Sequence, residues 1–224
     1  MTGTTVLLVH GFGGSADRTW RDNGWLDLLA DDGHTTIAPD LLGHGCAPRP
    51  HDPEAYAQLE ARVWESLPAS GEVDAIGFSL GARVVLTMAA EQPHRFRRIV
   101  VAGVGANLFR HEPSHELAAA LRNDTPHEHP VARYFQQLAA ADHTDGHALA
   151  ALLERTDTPP LGLPELGRIT LPVLVLIGDD DFAGPGDPLA DALPDATLVV
   201  IPRLDHFATP KSFAAIDHTL AFLR

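Results

Sequence analysis

Residues 77–81 read Gly-Phe-Ser-Leu-Gly, a spacing that could present Ser79 as a nucleophile. The run 73–76 has strand character, whereas 80–92 is rich in helix formers and stops before Pro93. Ser79 is therefore predicted at a strand-to-helix corner, where glycines two residues before and after it remove side chains that would collide. The N-terminus of the following helix would favour an alkoxide or a tetrahedral oxyanion. The alternative is an ordinary glycine turn with a solvated serine.

Two further side chains could complete nucleophilic chemistry with Ser79. Asp181 follows the aliphatic run 172–177 and His206 follows the run 196–201, and both runs have strand character. Because parallel strands end at one edge of a sheet, the three side chains can meet there. His206 could accept the Ser79 proton as a general base, while Asp181 would hold the imidazole tautomer. The chain order serine, aspartate, histidine is the order expected with such a corner.

Other carboxylates and histidines compete for these roles. Asp179 and Asp180 remain alternative acids, and the three successive aspartates could instead form a solvated turn or an oxygen-ligand metal site. We expect no metal there, because adjacent residues of an extended chain point to opposite sides. Among 13 histidines, His206 combines a late position with a strand exit. His10 and His44 also lie in loops on the active side, where we expect structural or substrate-facing roles.

Two motifs that would indicate a cofactor or metal do not fit their chemistry. Residues 111–115 match the zinc-protease pattern H-E-x-x-H, which needs both histidines on one helix face. Pro113 is tolerated only in the first helical turn, which would leave His111 outside the helix. The glycine-rich loop 10–15 has neither the P-loop lysine nor the dinucleotide-binding spacing. We therefore predict no metal and no cofactor.

The elements that must position these residues alternate along the chain. Strand-like runs and helical patterns predict an α/β fold, with a mostly parallel six-stranded sheet and helices on both faces. The strand-like runs are 4–9, 34–39, 73–76, 98–102, 172–177 and 196–201, and the main helical patterns are 20–31, 54–67, 80–92 and 210–223.

No strand is evident between residues 107 and 168, where short helices fit 114–121, 131–141 and 146–155. Long connections without strands are usually functional, and many of them cover active sites. We therefore predict a small helical lid over 107–168, inserted after the fourth strand of a single domain that spans 1–224. The alternative is a second face of helical packing.

The composition is that of an acidic globular chain. Its 224 residues are 45% apolar and carry a formal net charge of −14, which argues against nucleic acid and anionic membranes as partners. Cys46 is the one cysteine, so no intrachain disulfide is expected. The apolar run 6–9 is too short for a signal peptide or a membrane span. We therefore expect a cytoplasmic protein that acts on a small molecule.

Two further loop motifs, together with Ser79, Asp181 and His206, make a combination that is typical of a known family. With His-Gly-Phe-Gly-Gly at 10–14 and Asp-Leu-Leu-Gly-His-Gly at 40–45, the chain resembles the α/β-hydrolase superfamily over almost its whole length except the predicted lid. The resemblance implies that Ser79 is the nucleophile, Asp181 the acid and His206 the base. The chain departs from the pattern in lacking two leading strands that many members have, and in having no glycine before the histidine.

The resemblance also implies an oxyanion hole made by the backbone N–H groups of Phe12 and Leu80. The implied activity is that of a cofactor-free serine hydrolase, which cleaves a small ester or thioester through an acyl-enzyme. A serine nucleophile disfavours the haloalkane dehalogenase and epoxide hydrolase branches. Arg83 makes the serine motif similar to that of the menaquinone-pathway lyases, which abstract a proton from an anionic substrate, unless Arg83 is simply a helix-surface residue. A third class is a non-enzymatic binding protein.

Overall fold

The computed structural model describes residues 3–110, 115–122, 128, 130–139, 144–155 and 161–224. Its strands form one sheet in which every neighbouring pair is parallel, in the order β2-β1-β3-β4-β5-β6. The strands are β1 (Thr5–Val9), β2 (Thr35–Ile37), β3 (Val73–Phe78), β4 (Phe96–Ala102), β5 (Val173–Gly178) and β6 (Ala196–Ile201). The predicted α/β class and six strands are confirmed, and the sheet is wholly rather than mostly parallel.

Helices cover both faces of this sheet, as predicted. The helices are α1 (Trp25–Asp31), α2 (Ala61–Ser66), α3 (Leu80–Glu91), α4 (His115–Leu121), α5 (Pro130–Ala139), α6 (Gly146–Leu153), α7 (Leu163–Leu166), α8 (Asp187–Ala192) and α9 (Phe213–Leu223). Side chains alternate along each strand, so Leu7 and Val9 face one apolar layer with α3, whereas Val6 and Leu8 face a second layer with α1 and α9. Among the described helices, none combines the length and the apolar composition needed to cross a bilayer.

The strand order creates a crevice beside β1. The chain passes from β1 outward to β2, then returns to place β3 on the other side of β1, with Val9 aligned to Gly77. The loops that leave β1 and β3 therefore run in opposite directions, and ligands of open parallel sheets bind at such a reversal. This topology brings the segment after Val9 next to Ser79.

The helices α4, α5 and α6 share a small apolar cluster of their own. Ala118, Phe135 and Leu149 are buried in it, and it packs against Phe12 and Phe207 at the carboxyl edge of the sheet. These helices lie within the predicted lid range.

The α6 end of this cluster is attached to the main body. Asp145 caps α6 by accepting hydrogen bonds from the amides of His147 and Ala148, at 2.9 and 3.1 Å, and it also binds His51 Nε2 at 2.9 Å. Three residues of α6 and α7 are also buried in the main core beside the sheet, namely Ala151, Leu152 and Leu166.

Two predicted helices are shorter and more broken than their apolar spacing indicates. The range 20–31 overlaps the end of a π-helical turn, Asp17–Arg21, which is followed by α1, and Gly24 with φ 78° separates the two. The range 54–67 begins within a 3-10 turn, Pro53–Tyr56, which is followed by α2. Helices α7 and α8 were not predicted, because four and six residues are too few to show a helical period.

One partly buried ion pair joins the amino-terminal ends of two central strands. Asp74 on β3 is fully buried, and its Oδ1 accepts a hydrogen bond from Arg97 Nε on β4 at 2.9 Å while its Oδ2 binds Nη2 of the same guanidinium. The neighbouring Arg98 instead donates to the carbonyl of Phe222 at 2.7 Å. Removal of the Arg97 guanidinium would leave the carboxylate of Asp74 buried without its partner, whereas removal of the Arg98 guanidinium would leave only a carbonyl without its donor.

We predict that Arg97→Met destabilises the fold by about 3–5 kcal/mol, because it leaves the carboxylate of Asp74 buried and unpaired. Urea unfolding of the wild type and the variant measures this difference. Arg98→Met is the matched control, since it removes a neighbouring arginine that binds a carbonyl, and its cost should be about 1 kcal/mol. Equal losses in the two variants would contradict the prediction.

Candidate active site

Ser79 lies on a strained corner between β3 and α3. Its φ of 54° and ψ of −111° are rarely adopted by residues with a side chain. The corner requires glycine on both sides, because a Cβ at Gly77 would come within 2.6 Å of the Gly81 carbonyl oxygen, and a Cβ at Gly81 within 2.1 Å of the Val9 oxygen. The glycine spacing seen in the sequence is therefore a requirement of close backbone packing.

Ser79, His206 and Asp181 form a continuous chain of hydrogen bonds. Ser79 Oγ lies 3.0 Å from His206 Nε2, and His206 Nδ1 lies 2.9 and 3.0 Å from the two carboxylate oxygens of Asp181. A carboxylate only accepts, so Nδ1 carries the proton and Nε2 accepts from the serine hydroxyl. The side chain of Asp181 is fully buried, and its Oδ1 also accepts from the amide of Ala183 at 2.8 Å. Such an arrangement can take a proton from a serine hydroxyl.

Aromatic rings enclose the imidazole of His206, which is only 3% exposed. The rings of Phe78 and Phe182 lie 5.0 and 4.3 Å from it between centroids. A Cβ at Gly103, whose φ is 65°, would come within 3.1 Å of the imidazole. Phe182 was not predicted as a site residue, and the signal that could have indicated it is its position directly after Asp181.

The alternative acids do not reach the imidazole. Asp179 Oδ1 accepts a hydrogen bond from the amide of Arg203 at 2.5 Å, and the side chain of Asp180 is exposed. Within the described ranges, no three histidine, cysteine or carboxylate side chains are grouped as a metal site would require. Of the H-E-x-x-H stretch, residues 111–114 lie outside the described residues and His115 begins α4.

His10 is a structural residue beneath the loop that follows β1. It is fully buried, with Nδ1 donating to the Gly11 carbonyl at 2.8 Å and Nε2 accepting from the Leu41 amide at 3.1 Å. Burial lowers the pKa of His10, which keeps the neutral form that both bonds need. Asp40 adds a second tie, because its two oxygens accept from the amides of Ala16 and Cys46 at 2.8 and 2.7 Å.

His44 supports the same loop from below. Its Nδ1 donates to the Leu42 carbonyl at 3.0 Å, and its ring contacts that of Phe12 edge-on at 5.9 Å. Burial, followed by the neighbouring His10, lowers the pKa of His44 to about 3. Of the two roles considered for His10 and His44, the contacts indicate the structural one, since neither lines the cavity at Ser79.

The two amides expected to bind an oxyanion both lie beside Ser79. Leu80 is the first residue of α3, where the amide N–H has no partner within the helix, and Phe12 lines the cavity together with Ser79. Within the described part of the chain, neither amide donates to a protein acceptor. Both N–H groups are therefore available to a ligand.

A cavity of about 380 Å³ opens over Ser79 and His206. Its walls come from the loop after β1, from the π-helical turn, from α5 and from the segment that follows His206. The lining residues include Gly11, Phe12, Phe78, Tyr134, Phe135, Leu138 and Phe207. The site can thus hold a small, largely apolar molecule against the serine hydroxyl.

We predict that His44→Gln weakens the acid sensitivity of the fold. His44 has a folded pKa of about 3 against about 6.5 when unfolded, so between these values the unfolded chain binds more protons. Stability from this group is complete above pH of about 6.5 and is lost on acidification, by about 1.4 kcal/mol per pH unit. Urea unfolding of both proteins from pH 7 to pH 4 should therefore give a shallower slope for the variant.

The matched control is His218→Gln, because the side chain of His218 is exposed on α9 and contacts water in both the folded and the unfolded chain. Its pH dependence should follow that of the wild type. Parallel slopes for His44→Gln and the wild type would show that His44 does not remain neutral in the folded protein.

Sequence comparison identifies a family and a near-full-length relative of the chain. Residues 4–127, more than half of the chain, match the family described as the alpha/beta hydrolase fold. The chain is 30% identical over 243 aligned residues to a pimeloyl-[acyl-carrier protein] methyl ester esterase of Neisseria meningitidis, covering 94% of this chain and 91% of that protein.

Other relatives are matched over shorter regions. Identity is 35% over 103 residues with a pyrrolizixenacetamide deacetylase of Xenorhabdus hominickii, and 29% over 139 residues with a 2-hydroxy-6-oxo-2,4-heptadienoate hydrolase of Pseudomonas putida. These alignments cover 45% and 59% of this chain. They span less than half of each relative, 38% and 49% respectively.

Solved structures share the fold at low sequence identity. The enol-lactonase of Burkholderia xenovorans superposes with a TM-score of 0.76 at 20% identity, covering 100% of this chain and 92% of that one. A 2-hydroxy-6-oxo-6-phenylhexa-2,4-dienoate hydrolase of Rhodococcus gives a TM-score of 0.75 at 23% identity, covering 99% and 90%. With the family match and the near-full-length relative, these likenesses show that the chain belongs to the α/β-hydrolase fold family.

Proposed function

We propose that this protein is a serine hydrolase that cleaves a small carboxylic ester or thioester through an acyl-enzyme intermediate. The hydrogen-bonded chain from Ser79 through His206 to Asp181 carries the proposal, because these distances suit proton transfer from the hydroxyl. The near-full-length relative that is named a methyl ester esterase supports hydrolysis as the reaction class.

In the proposed acylation step, Ser79 Oγ bonds to the substrate carbonyl carbon while its proton moves to His206 Nε2. The carbonyl electron pair moves onto oxygen and returns as the C–O or C–S bond to the leaving group breaks. The leaving group takes the proton from His206. Water then gives a proton to His206 Nε2 as its oxygen bonds to the acyl carbon, and the acid is released when the bond from this carbon to Ser79 Oγ breaks and His206 returns the proton to Oγ. Asp181 stabilises the imidazolium at each stage.

We assign the oxyanion hole to the backbone N–H groups of Phe12 and Leu80. The negative charge that develops on the carbonyl oxygen would lie at the N-terminus of α3, where the helix dipole stabilises it. The hydrogen bond from the Leu41 amide to His10 Nε2 would hold the loop that contains Phe12 at a fixed distance from Ser79. Rigid donors of this kind lower the barrier because they need no reorganisation during the reaction.

We assign a lid function to helices α4, α5 and α6 of the 107–168 segment. Helix α5 contributes Tyr134, Phe135 and Leu138 to the cavity, so these side chains cover the proposed nucleophile. An apolar cover would exclude water while the acyl group binds, and its shape would select the substrate.

Arg83 gives no support to the lyase alternative. Its guanidinium donates to the carbonyl of Asn107 at 2.8 Å, and Arg83 is not among the residues that line the cavity. A lyase acting on an anionic substrate through this arginine would need it to face Ser79. The contact instead attaches α3 to the beginning of the 107–168 segment.

Ser79→Ala should abolish turnover of p-nitrophenyl acetate and labelling by a fluorophosphonate, because both reactions need the serine oxygen. The expected loss in kcat is at least about 10³-fold. Release of p-nitrophenol and intact mass spectrometry measure the two effects. Ser66→Ala is the matched control, since the Ser66 hydroxyl donates to the Val63 carbonyl on α2.

A single adduct on Ser79 together with turnover supports the acyl-enzyme route. Turnover without an adduct would contradict that route and favour the lyase-like chemistry. The absence of both activities from the folded wild type would favour a binding protein.

Asp181→Asn should lower kcat by about 10⁴-fold, because an amide can donate to Nδ1 and favour the wrong imidazole tautomer. The neighbouring Asp180→Asn is the control and should leave kcat within about twofold, since its side chain is exposed and away from His206. Steady-state kinetics on p-nitrophenyl acetate compares the two. Similar losses would remove the acid role from Asp181.

A further inference from the structure

The cavity over Ser79 has two chemically different parts. Aromatic rings in contact with one another make up the first, with ring centroids 5.0 Å apart for Phe12 and Phe135 and 3.8 Å apart for Tyr134 and Phe207. Polar side chains make up the second, and they come from the segments 18–23 and 210–211. The aromatic part suits the apolar body of a substrate, whereas the polar part must recognise something else.

Two exposed cationic side chains line this polar part, those of Arg18 and Lys211. Lys211 is the single lysine of a chain with 30 acidic and 16 basic residues. Within the described residues, neither side chain forms an ion pair with a carboxylate, whereas Arg21 on the same turn is paired with Asp17 at 2.7 Å. The charge of both cations is therefore available to a ligand.

The backbone that carries these cations is fixed by hydrogen bonds. Asn23 Nδ2 donates to the carbonyls of Arg18 and Thr19, each at 2.9 Å, which holds the turn closed. Trp25 Nε1 donates to the carbonyl of Pro210 at 2.8 Å and so links this region to the Lys211 segment. The two cations thus approach one cavity from anchored positions.

The remaining charges at this part of the cavity leave a positive balance. Asp22 is the one carboxylate among the lining residues in the described chain, against two cations. Burial raises the pKa of Tyr134, the charge of Arg18 opposes that increase, and Asp205 adds to it. The guanidinium of Arg18 therefore acts on the phenol of Tyr134, at the border between the polar and aromatic parts.

We propose that the substrate is an ester or thioester with an anionic group remote from its scissile carbonyl, and that Arg18 and Lys211 bind this group. The inference rests on the hydrolase function proposed above and defines its substrate class. A chain of net charge −14 repels anions at long range, but screening confines that effect to about 10 Å, so nearby cations decide binding. The anion is a carboxylate on the acyl chain or a phosphate on the leaving group, both of which guanidinium and ammonium groups bind.

Matched substrates test the proposal on the intact protein. Monomethyl adipate carries a carboxylate, methyl hexanoate is its neutral counterpart, and methyl 6-aminohexanoate is the cationic one. For a phosphate on the leaving group, S-acetyl phosphopantetheine is compared with S-acetyl pantetheine. The quantity measured is the ratio of kcat/KM for the anionic substrate to kcat/KM for its neutral counterpart, at low and high salt.

We expect one of the two pairs to show a ratio above one that falls with added salt, and its identity gives the source of the anion. Arg18→Gln and Lys211→Met should each lower that ratio by about tenfold, the effect of losing one charge-assisted contact. Arg21→Gln is the matched control, because Arg21 is on the same turn but does not line the cavity, and its ratio should be unchanged.

Hydrolysis of neutral esters without any anion preference, or an anion preference that survives both substitutions, would overturn this proposal and leave the hydrolase function standing. Failure to cleave any of the five compounds would overturn both together. A preference for the cationic ester would assign the polar part to Asp22 and also contradict the proposal.

Discussion

The close packing of α3 against the carboxyl ends of β1 and β3 is the constraint on which the rest of the site depends. Gly81 lies against the backbone of Val9, and Gly77 lies against the first turn of α3, at distances that leave no room for a Cβ. The chain can turn this sharply only if Ser79 adopts a positive φ. The hydroxyl is consequently directed away from the sheet, while the unpaired amides of the helix N-terminus stay beside it. Backbone sterics thus position the serine before any other side chain acts on it.

A second layer of contacts fixes what surrounds this corner. The reversal of strand order at β1 brings the Phe12 loop next to Ser79, and His10 and His44 hold that loop from below in their neutral forms. Burial keeps both imidazoles neutral at pH values above their folded pKa values. Each ring therefore keeps the same hydrogen-bonding nitrogens over that pH range. His206 has a different environment, since its two nitrogens are hydrogen-bonded to Asp181 and Ser79 while phenylalanine rings cover it.

Helices α4, α5 and α6 add a third element, in which side chains of α5 line the cavity without contributing to the hydrogen-bonded chain. Their apolar cluster is small, and it shares Phe12 and Phe207 with the walls of the cavity. The Asp145–His51 contact links the start of α6 to the main body, and Ala151 and Leu152 of the same helix are buried in the main core. Arg83 donates to the carbonyl of Asn107 at the beginning of the segment.

The sequence by itself determined the α/β class, six strands and the predicted site residues Ser79, Asp181 and His206, because strand exits and glycine spacing are local properties that short-range sterics impose. It also identified His10 and His44 but left two roles open, since the pKa of an imidazole depends on burial by distant segments. Only the tertiary structure decided that Arg83 turns to Asn107, that Phe182 covers His206, and that Arg18 and Lys211 share one cavity. Those contacts join residues from separate elements, and no local pattern encodes such convergence. The breaks near Gly24 and Tyr56 are instead local, because they lie at a glycine with positive φ and at a turn that begins with Pro53.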